Sequence, residues 1–579
     1  MKMVLKYYKP YIPHIILIIL FLFGQAMCEL ALPGYMANII DFGIVKGDMA
    51  YIWTTGIIML GISAGTMIFA MGGSFLAART AAKSSRDIRR ALFCKVTNFS
   101  AAELESFSTA SLITRSTNDI QTVQQTTVML LRLAIFAPIM GIGALVRALS
   151  TSVDLSWTVG LALLAIIIIM ATAFLMVLPK FEVLQKKLDR LNLIMKERLS
   201  GMLVIRAFTT EKLEQDRFDD ANASLTKLNL FVNKAMSFMM PSLMFVMNAV
   251  GILIIWAGAH LIEADNLMIG DMLAYLQYAM HVIMSFLFVT MMFIMVPRAA
   301  VSARRIGSVL AVEPSITDPK EPEELKTPKG RVDFVNVSFA YPDAQEKTLE
   351  NISFTAEPGK TTAIIGGTGS GKSSLIKLIP RFYDATEGSV LIDGTDVKKI
   401  RQHDLREQIG YVPQKGVLFS GTIASNLRYG KDDADAEDML RAVETAQAKG
   451  FVEEKEKGFD EEVAQGGSSV SGGQKQRLSI ARALIKQPKI YIFDDSFSAL
   501  DFKTDKALRE ALREKVGEST IIIVAQRINT IMDADQILVM DDGHLVGKGT
   551  HEQLMESCGI YKEIALSQLS EEELERGRS

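Results

Sequence analysis

Residues 470–501 read VSGGQKQRLSIARALIKQPKIYIFDDSFSALD, and this stretch decides the fold of the C-terminal half of the chain. A loop of small and polar residues, SGGQ at Ser471–Gln474, precedes a run with helical periodicity at Gln476–Ile485. The apolar run Ile490–Phe493 then predicts a buried strand that ends in two aspartates. The stretch therefore predicts an α/β domain with carboxylates at the end of a buried strand.

A second glycine-rich run lies upstream and follows another predicted strand. The segment Lys360–Ile365 leads directly into GGTGSGKSS, which is a P-loop, and Ser374–Ile379 predicts the helix after it. In a P-loop the backbone amides approach the α- and β-phosphates, Lys372 reaches the β- and γ-phosphates, and the Ser373 hydroxyl ligates Mg²⁺. Asp494 supplies the acid expected to hold that Mg²⁺. The candidate ATP-binding residues of this loop are Gly366, Gly367, Thr368, Gly369, Ser370, Gly371, Lys372, Ser373 and Ser374.

The N-terminal half has a different composition, with long apolar runs. Six stretches are each long enough to cross a bilayer, which takes about 20 helical residues. They lie at about 13–33, 51–76, 129–149, 155–178, 237–262 and 270–296. The two long connections between them carry an excess of Lys and Arg, whereas the short connections carry mostly acids. By the positive-inside rule, we expect a multi-pass protein of the cell membrane with both termini in the cytoplasm.

Both long connections keep helical periodicity, which predicts helices that continue into the cytoplasm. Small and turn-forming residues interrupt the pattern at Phe107–Asp119 and at Ser200–Phe208. We interpret these stretches as the tips of two helical hairpins. Apolar residues such as Leu112 and Phe208 are available there for docking, although the same pattern fits ordinary hairpin tips.

A proline-rich and charged stretch, Val312–Lys329, predicts an exposed linker between the two halves. We therefore expect a transmembrane domain at 1–311, a linker at 312–330 and a nucleotide-binding domain at 331–570. The predicted fold class is a six-helix transmembrane domain followed by an α/β P-loop NTPase domain.

Charge and cysteine spacing exclude other classes of function. The net charge is -3 and no basic stripe stands out, so we expect no nucleic-acid partner. The three cysteines lie far apart and match neither a metal site nor a disulfide framework. Within the apolar spans, a few polar residues are candidates for a transport pathway, with an interfacial or helix-contact role as the alternative. They are Glu29, Gln277 and His281.

In this arrangement the chain resembles the ATP-binding cassette (ABC) family, over essentially all 579 residues. It is similar to an exporter-type half-transporter, and this implies ATP hydrolysis coupled to transport, with ATP and Mg²⁺ as cofactors. The resemblance implies that Tyr341 stacks on adenine and that Gln414, in YVPQ, touches Mg²⁺. The two hairpin tips correspond to the coupling helices of the family.

Two further motifs follow from the same resemblance. One is the family signature, which caps ATP bound on the opposite subunit, and the other is the D-loop, which crosses the dimer interface. The signature residues are Ser471, Gly472, Gly473 and Gln474, and the D-loop residues are Ser498, Ala499, Leu500 and Asp501.

Two positions depart from the family pattern, and both belong to one catalytic task. The family places Glu after the Mg²⁺ acid to polarise the attacking water, whereas this chain has Asp495, which is one methylene shorter. The family's switch histidine is replaced by Gln526, whose amide can hydrogen-bond a phosphate but cannot take a proton. We therefore expect this site to bind ATP and to hydrolyse it slowly.

Cassettes of this family pair head to tail, so each ATP contacts one chain's P-loop and the other chain's signature. The chain resembles the degenerate half of the heterodimeric bacterial multidrug exporters, which implies a partner half-transporter with intact Glu and His. The implied cargo is a drug, a lipid or another amphipathic compound. A siderophore-type importer of the same architecture and an ATP-sensing membrane regulator are the open alternatives.

Overall fold

The computed structural model describes residues 2–342 and 344–568, and they form two compact units. The first unit takes in the chain up to Lys95 together with Ala110–Ala311. The second takes in Val96–Thr109 and the chain from Val312 onward.

Helices account for nearly all of the chain before the linker. In chain order they are α1 (Lys2–Leu5), α2 (Ile12–Asn38), α3 (Met49–Thr97), α4 (Ala101–Ser106), α5 (Thr109–Thr114), α6 (Ile120–Met129), α7 (Ile135–Thr151), α8 (Ser156–Ser200), α9 (Met202–Ala207), α10 (Glu211–Glu263) and α11 (Ile269–Ala311). Short 3₁₀ or π-helical segments join some of them, at Lys6–Tyr11, Ile39–Ile44, Arg115–Asp119 and Leu130–Ala134.

Six helical segments of the described chain are long and apolar enough to cross a membrane, which confirms the predicted six apolar helices. They are Met3–Ile44, Met49–Thr97, Thr109–Thr151, Ser156–Val177, Glu211–Glu263 and Ile269–Val289. Small residues let these helices approach one another closely, as is usual in membrane bundles. A Cβ added to Gly143 of α7 would lie 2.3 Å from Leu30 Cδ1 of α2, so a larger residue there would separate the two helices.

Buried polar contacts also fix α11 within the first unit. Asp41 Oδ1 accepts a hydrogen bond from the backbone N–H of Gly270 at 2.8 Å. Near the other end of α11, Ser302 Oγ donates to Asp119 Oδ1, also at 2.8 Å. These bonds anchor α11 to the segments that follow α2 and α5.

The second unit combines three sheets with short helices. Its strands are β1 (Val332–Phe339), β2 (Leu349–Ala356), β3 (Thr361–Gly366), β4 (Glu387–Ile392), β5 (Thr395–Asp396), β6 (Ile409–Val412), β7 (Gly421–Thr422), β8 (Glu462–Val463), β9 (Ile490–Asp494), β10 (Thr520–Val524), β11 (Gln536–Asp541) and β12 (His544–Gly549). Its helices after the linker are α12 (Lys372–Lys377), α13 (Gln402–Glu407), α14 (Ile423–Arg428), α15 (Ala436–Thr445), α16 (Lys449–Glu453), α17 (Gly472–Leu484), α18 (Phe502–Lys515), α19 (Ile528–Ile531), α20 (His551–Ser557) and α21 (Gly559–Gln568).

The largest sheet has the strand order β12-β11-β3-β10-β9-β6. All of its pairings are parallel except that of β11 with β12. Every residue of β9 and β10 is buried, which explains why these strands read as continuous apolar runs. A four-stranded antiparallel sheet, β2-β1-β4-β5, and the two-stranded pair β7-β8 complete the unit. The α/β P-loop domain predicted from the sequence is confirmed.

The first cytoplasmic turn lies earlier in the chain than predicted. The long helix α3 ends at Thr97, and much of the predicted tip, Phe107–Asp119, is helical. The physical reason is a capping box at the start of α4, in which Ser100 and Glu103 satisfy each other's backbone N–H groups. The second turn lies where it was predicted, because α8 ends at Ser200 and α9 begins two residues later.

Candidate nucleotide-binding site

The predicted site residues meet at one edge of the large sheet. The strands β3, β10, β9 and β6 are consecutive neighbours and run in parallel. Their carboxyl ends therefore lie side by side, and ligands of open α/β sheets bind at that edge. The P-loop follows β3, Gln526 follows β10, Asp495 follows β9 and Gln414 follows β6.

Two glycines of the P-loop, Gly366 and Gly371, have backbone conformations that residues with a side chain rarely adopt. Gly366 has a φ of 156°, and a Cβ there would lie 2.0 Å from the carbonyl oxygen of Met540. Gly371, with a φ of 92°, leads directly into the first residue of α12. Gly367 and Gly369 instead have no neighbouring atom within 4 Å of an added Cβ, so their backbone faces open space. This loop at the start of a helix can cradle an anion with its N–H groups.

Lys372 folds back over the P-loop. Its Nζ donates to the carbonyl oxygens of Gly366 at 2.8 Å and Gly367 at 2.5 Å, and to Ser370 Oγ at 3.3 Å. Burial lowers the pKa of the Lys372 ammonium, while the nearby carboxylates of Asp495 and Asp494 act in the opposite direction. A phosphate chain in this loop would give the ammonium a stronger partner than these neutral oxygens.

Of the three residues predicted for Mg²⁺, Ser373 and Asp494 contact each other directly, whereas Gln414 contacts Asp495 instead. Ser373 Oγ donates to Asp494 Oδ1 at 2.9 Å, and Asp494 itself is buried. The hydroxyl of Tyr411 donates to Asp494 Oδ2 at 3.3 Å. One hydroxyl and one carboxylate are hard oxygen donors, and Mg²⁺ in nucleotide sites uses one or two carboxylates with phosphate oxygens and water. The donor set therefore fits Mg²⁺. Tyr411 received no role from the sequence, although it stands in the quoted motif YVPQ.

Asp495 is held by two amides. Its Oδ2 accepts from Gln526 Nε2 at 2.7 Å and from Gln414 Nε2 at 3.2 Å. Burial raises the pKa of the Asp495 carboxyl, the hydrogen bond from Gln414 opposes this rise, and Asp494 adds to it. The backbone of Asp495 is left-handed, with a φ of 47°, which is a strained conformation for a residue with a Cβ. The two positions that depart from the family pattern therefore form one hydrogen-bonded unit.

Tyr341 lies beside the P-loop helix. Its hydroxyl shares a 2.9 Å hydrogen bond with Ser374 Oγ, and its ring packs edge-on against Tyr383 with centroids 5.2 Å apart. Burial raises the pKa of the Tyr383 hydroxyl, and the nearby carboxylate of Glu105 in α4 acts in the same direction. Tyr383 and Glu105 were missed in the sequence because neither belongs to a short motif.

The helix α4 packs against the rest of the second unit, and its acidic residue Glu103 forms a hydrogen bond there. Glu103 Oε1 accepts from the backbone N–H of Ser315 at 3.0 Å, and Ser100 Oγ hydrogen-bonds Ser315 Oγ at 3.0 Å. Ala101 and Ala102 pack against the core under β1 and β2. The sequence carried a signal for this segment, since Ser100-Ala101-Ala102-Glu103 matches the capping-box pattern.

The signature loop is exposed and lies beside the D-loop. Ser471 Oγ accepts from the N–H of Gln474 at 3.3 Å, which caps α17. A Cβ on Gly473 would lie 3.4 Å from the carbonyl oxygen of Ala499. Asp501 caps α18 by accepting from Thr504 N–H at 3.0 Å. Within the described part of the chain, no hydrogen bond joins the signature loop to the P-loop.

Of the three predicted pathway residues of the membrane unit, Glu29 and His281 lie near each other. Glu29 Oε1 accepts from Gln25 Nε2 at 2.9 Å on α2, and Glu29 lies within electrostatic reach of His281 on α11. Gln277, also on α11, is exposed.

Six membrane-type helices joined to a P-loop domain with SGGQ and SALD loops define a membrane transporter with its own ATPase domain. The family model for the ABC transporter transmembrane region matches residues 15–286, and the ABC transporter model matches residues 349–498. The chain belongs to the ABC transporter family.

Relatives and solved structures support the same assignment. The chain is 40% identical over 570 residues to an uncharacterised ABC transporter ATP-binding protein of Mycobacterium tuberculosis, covering 97% of each protein. It is 39% identical to the uncharacterised ABC transporter ATP-binding protein YfiB of Bacillus subtilis, covering 99% of each. YheI of B. subtilis, a probable multidrug resistance ABC transporter ATP-binding/permease protein, is 34% identical over 79% of this chain and 78% of YheI. A bacterial Atm1-family ABC exporter with ATP bound has the same fold, with a TM-score of 0.78 at 24% identity over 97% of this chain and 99% of that one.

Proposed function

We propose that this chain is the degenerate-site subunit of a heterodimeric ATP-driven exporter in the cell membrane, with both termini in the cytoplasm. In this proposal its P-loop binds ATP and Mg²⁺ but hydrolyses ATP slowly, while its signature completes the competent site of a partner. The observation that carries the proposal is the hydrogen-bonded unit of Asp495, Gln526 and Gln414.

The geometry of that unit argues against fast hydrolysis. A general base must reach the attacking water within hydrogen-bond distance, and a misplacement of about 1 Å can cost on the order of 100-fold in rate. Asp495 is one methylene shorter than Glu, and one of its oxygens already accepts from two amides. Gln526 cannot take up a proton, whereas histidine can. Mg²⁺, when bound at Ser373 and Asp494, would neutralise phosphate charge, but it does not replace the base.

ATP binding itself is supported by the P-loop. Its open backbone at Gly367 and Gly369 and the ammonium of Lys372 suit a phosphate chain. The side chain of Tyr341 is placed next to the P-loop helix, where it can stack on a base after breaking its bond to Ser374. We therefore infer that the site retains nucleotide.

The exposed signature loop supports the role in trans. Ser471 and Gly472 stand at the N-terminus of the 13-residue helix α17 and make no hydrogen bond to this chain's own P-loop within the described residues. A helix N-terminus favours a negatively charged ligand. We infer that this ligand is the γ-phosphate of ATP bound to the partner.

We assign to the two cytoplasmic turns the transmission of conformational changes from the nucleotide-binding unit to the membrane unit. In α4, Glu103 accepts a hydrogen bond from the backbone N–H of Ser315 of the nucleotide-binding unit, and Glu105 lies within electrostatic reach of Tyr383. In and beside α9, Leu203 and Phe208 are 83% and 73% exposed. Exposed apolar residues at a helix tip suit a docking contact, which we assign to the partner's cassette.

The cargo is proposed as an amphipathic drug or lipid moved outward. One support is the similarity to YheI, whose name describes a probable multidrug resistance transporter. A second support is the exposure of two methionines on α10, Met240 and Met244, because flexible thioethers adapt to varied apolar ligands.

The test is to purify the chain alone and together with a half-transporter that has Glu and His at the matching positions. We expect the chain alone to bind ATP with only slow turnover, and the pair to show substrate-stimulated ATPase and transport in proteoliposomes. The physical reason is that only the pair contains a correctly placed base. A homodimer of this chain with full, drug-stimulated ATPase would contradict the proposal. Uptake instead of efflux by the pair would favour the importer alternative.

A further inference from the structure

A groove between α8 and α10 carries an excess of positive charge. It is open to solvent, has a volume of about 550 Å³ and is lined by Lys180, Lys187, Asp220, Ala223, Ser224, Lys227, Leu228 and Phe231. Three lysines against one aspartate leave two uncompensated positive charges among these residues. The lining residues of α10 repeat at three- to four-residue spacing, so they form one face of that helix.

The position of the groove relative to the bilayer follows from the helix length. The sequence of α8 carries no charged residue from Ser156 to Pro179, and Lys180 is the first charge after this run. Lys187 lies two turns beyond Lys180 on the same side of α8. The headgroup layer is about 5–8 Å thick on each side of the hydrocarbon. Lys180 is therefore at headgroup depth, and Lys187, which lies further from the hydrocarbon, can extend its ammonium group back toward the headgroups.

The contacts of the lysines leave their charges free for a ligand. Lys187 Nζ hydrogen-bonds the hydroxyl of Ser224, and Lys180 Nζ lies 6.0 Å from the ring centroid of Phe231. These partners are neutral. Among the side chains that the structure describes, none of the three lysines forms an ion pair with a carboxylate. Lys187 is half-buried, whereas Lys180 and Lys227 are exposed. A half-buried ammonium group without a counter-ion, with two further ammonium groups beside it, favours an anionic ligand.

We propose that this groove binds the phosphate headgroup of an anionic membrane lipid, held by Lys180, Lys187 and Lys227. The groove starts at the end of an apolar helix segment and has Leu228 and Phe231 in its wall, which favours a lipid over a soluble phosphate compound. With the orientation proposed above, the lipid comes from the cytoplasmic leaflet. The site does not depend on the heterodimer or on the rate of hydrolysis.

The test is to titrate the purified full-length protein, in a neutral detergent, with phosphatidylglycerol and to count bound lipid by native mass spectrometry. Each lysine near an anionic lipid contributes on the order of five-fold in affinity. The variant Lys180→Gln, Lys187→Gln, Lys227→Gln should therefore bind on the order of 100-fold more weakly. The corresponding Lys→Arg triple should retain the affinity, which separates loss of charge from misfolding.

The matched control removes three lysines outside the groove: Lys95→Gln, Lys196→Gln and Lys212→Gln. It should bind phosphatidylglycerol within about two-fold of the unmodified protein. Equal affinity of the groove variant and this control would overturn the proposal, and so would equal affinity for phosphatidylcholine, which has no net charge. Displacement of the lipid by millimolar inorganic phosphate or glycerol phosphate would instead assign the groove to a soluble anion.

Discussion

Gly472→Asp should reduce the ATPase activity of the proposed heterodimeric complex by about 100-fold. The substitution is tolerated within this chain, because a Cβ on Gly472 meets no atom within 4 Å. An aspartate in the first turn of α17 is also favourable for the helix itself. In the proposed heterodimer, however, the aspartate would face the γ-phosphate of the partner's ATP, and such a contact between like charges costs several kcal/mol. Steady-state phosphate release measures the effect.

The matched control is Gly450→Asp. Gly450 is also exposed, helical and free of neighbours within 4 Å of an added Cβ, but it lies in α16, outside the signature. The control complex should keep its ATPase. The corresponding change in the partner's signature, which in the proposed heterodimer faces this chain's P-loop, should reduce the rate far less. If Gly472→Asp behaved like Gly450→Asp, the signature would not serve a competent site in trans.

The second large effect is a gain of activity. Asp495→Glu combined with Gln526→His should raise hydrolysis at this chain's own P-loop on the order of 100-fold. The glutamate advances the carboxylate by about 1.5 Å, and a correction of about 1 Å is worth roughly that factor. The histidine also removes the amide that now donates to Asp495 Oδ2. The rate is best measured in a complex whose partner has its catalytic Glu replaced by Gln, so that the remaining turnover belongs to this chain.

Two variants serve as controls for that gain. Asp495→Asn with Gln526→His has no carboxylate to act as the base, and it should stay at the low background rate. Gln526→His alone should give only part of the gain, because the shorter side chain of Asp495 would still hold its carboxylate too far from the attacking water. An unchanged rate in the full double variant, with ATP binding intact, would show that these two positions do not limit hydrolysis.

Much of the fold follows from local sequence patterns. The strand before the P-loop and the strand before Asp494 are apolar on both faces, and the turn residues on each side of them fix where they end. The six apolar helices are equally local, since their length alone separates them from core helices. The meeting of the P-loop, Asp495 and Gln526 could also be expected, because parallel strands bring their carboxyl ends to one edge.

The remaining features depend on packing between distant residues. The first cytoplasmic turn was placed too late because the helical period continues through Thr109–Thr114, while the cap formed by Ser100 and Glu103 decides the turn. The contact of Glu103 with Ser315 joins residues 212 positions apart. The lysine groove requires the register of α8 against α10, which no short motif encodes.

The most direct measurement of the central claim is the nucleotide carried by each chain during turnover. The complex would be incubated with Mg²⁺ and 8-azido-ATP labelled either at the α- or at the γ-phosphate, and then cross-linked by light. Separation of the two chains gives the ratio of γ- to α-label for each. We expect a ratio close to one on this chain, since its ATP is retained uncleaved, and a ratio close to zero on the partner. Loss of the γ-label from this chain as fast as from the partner would contradict the account.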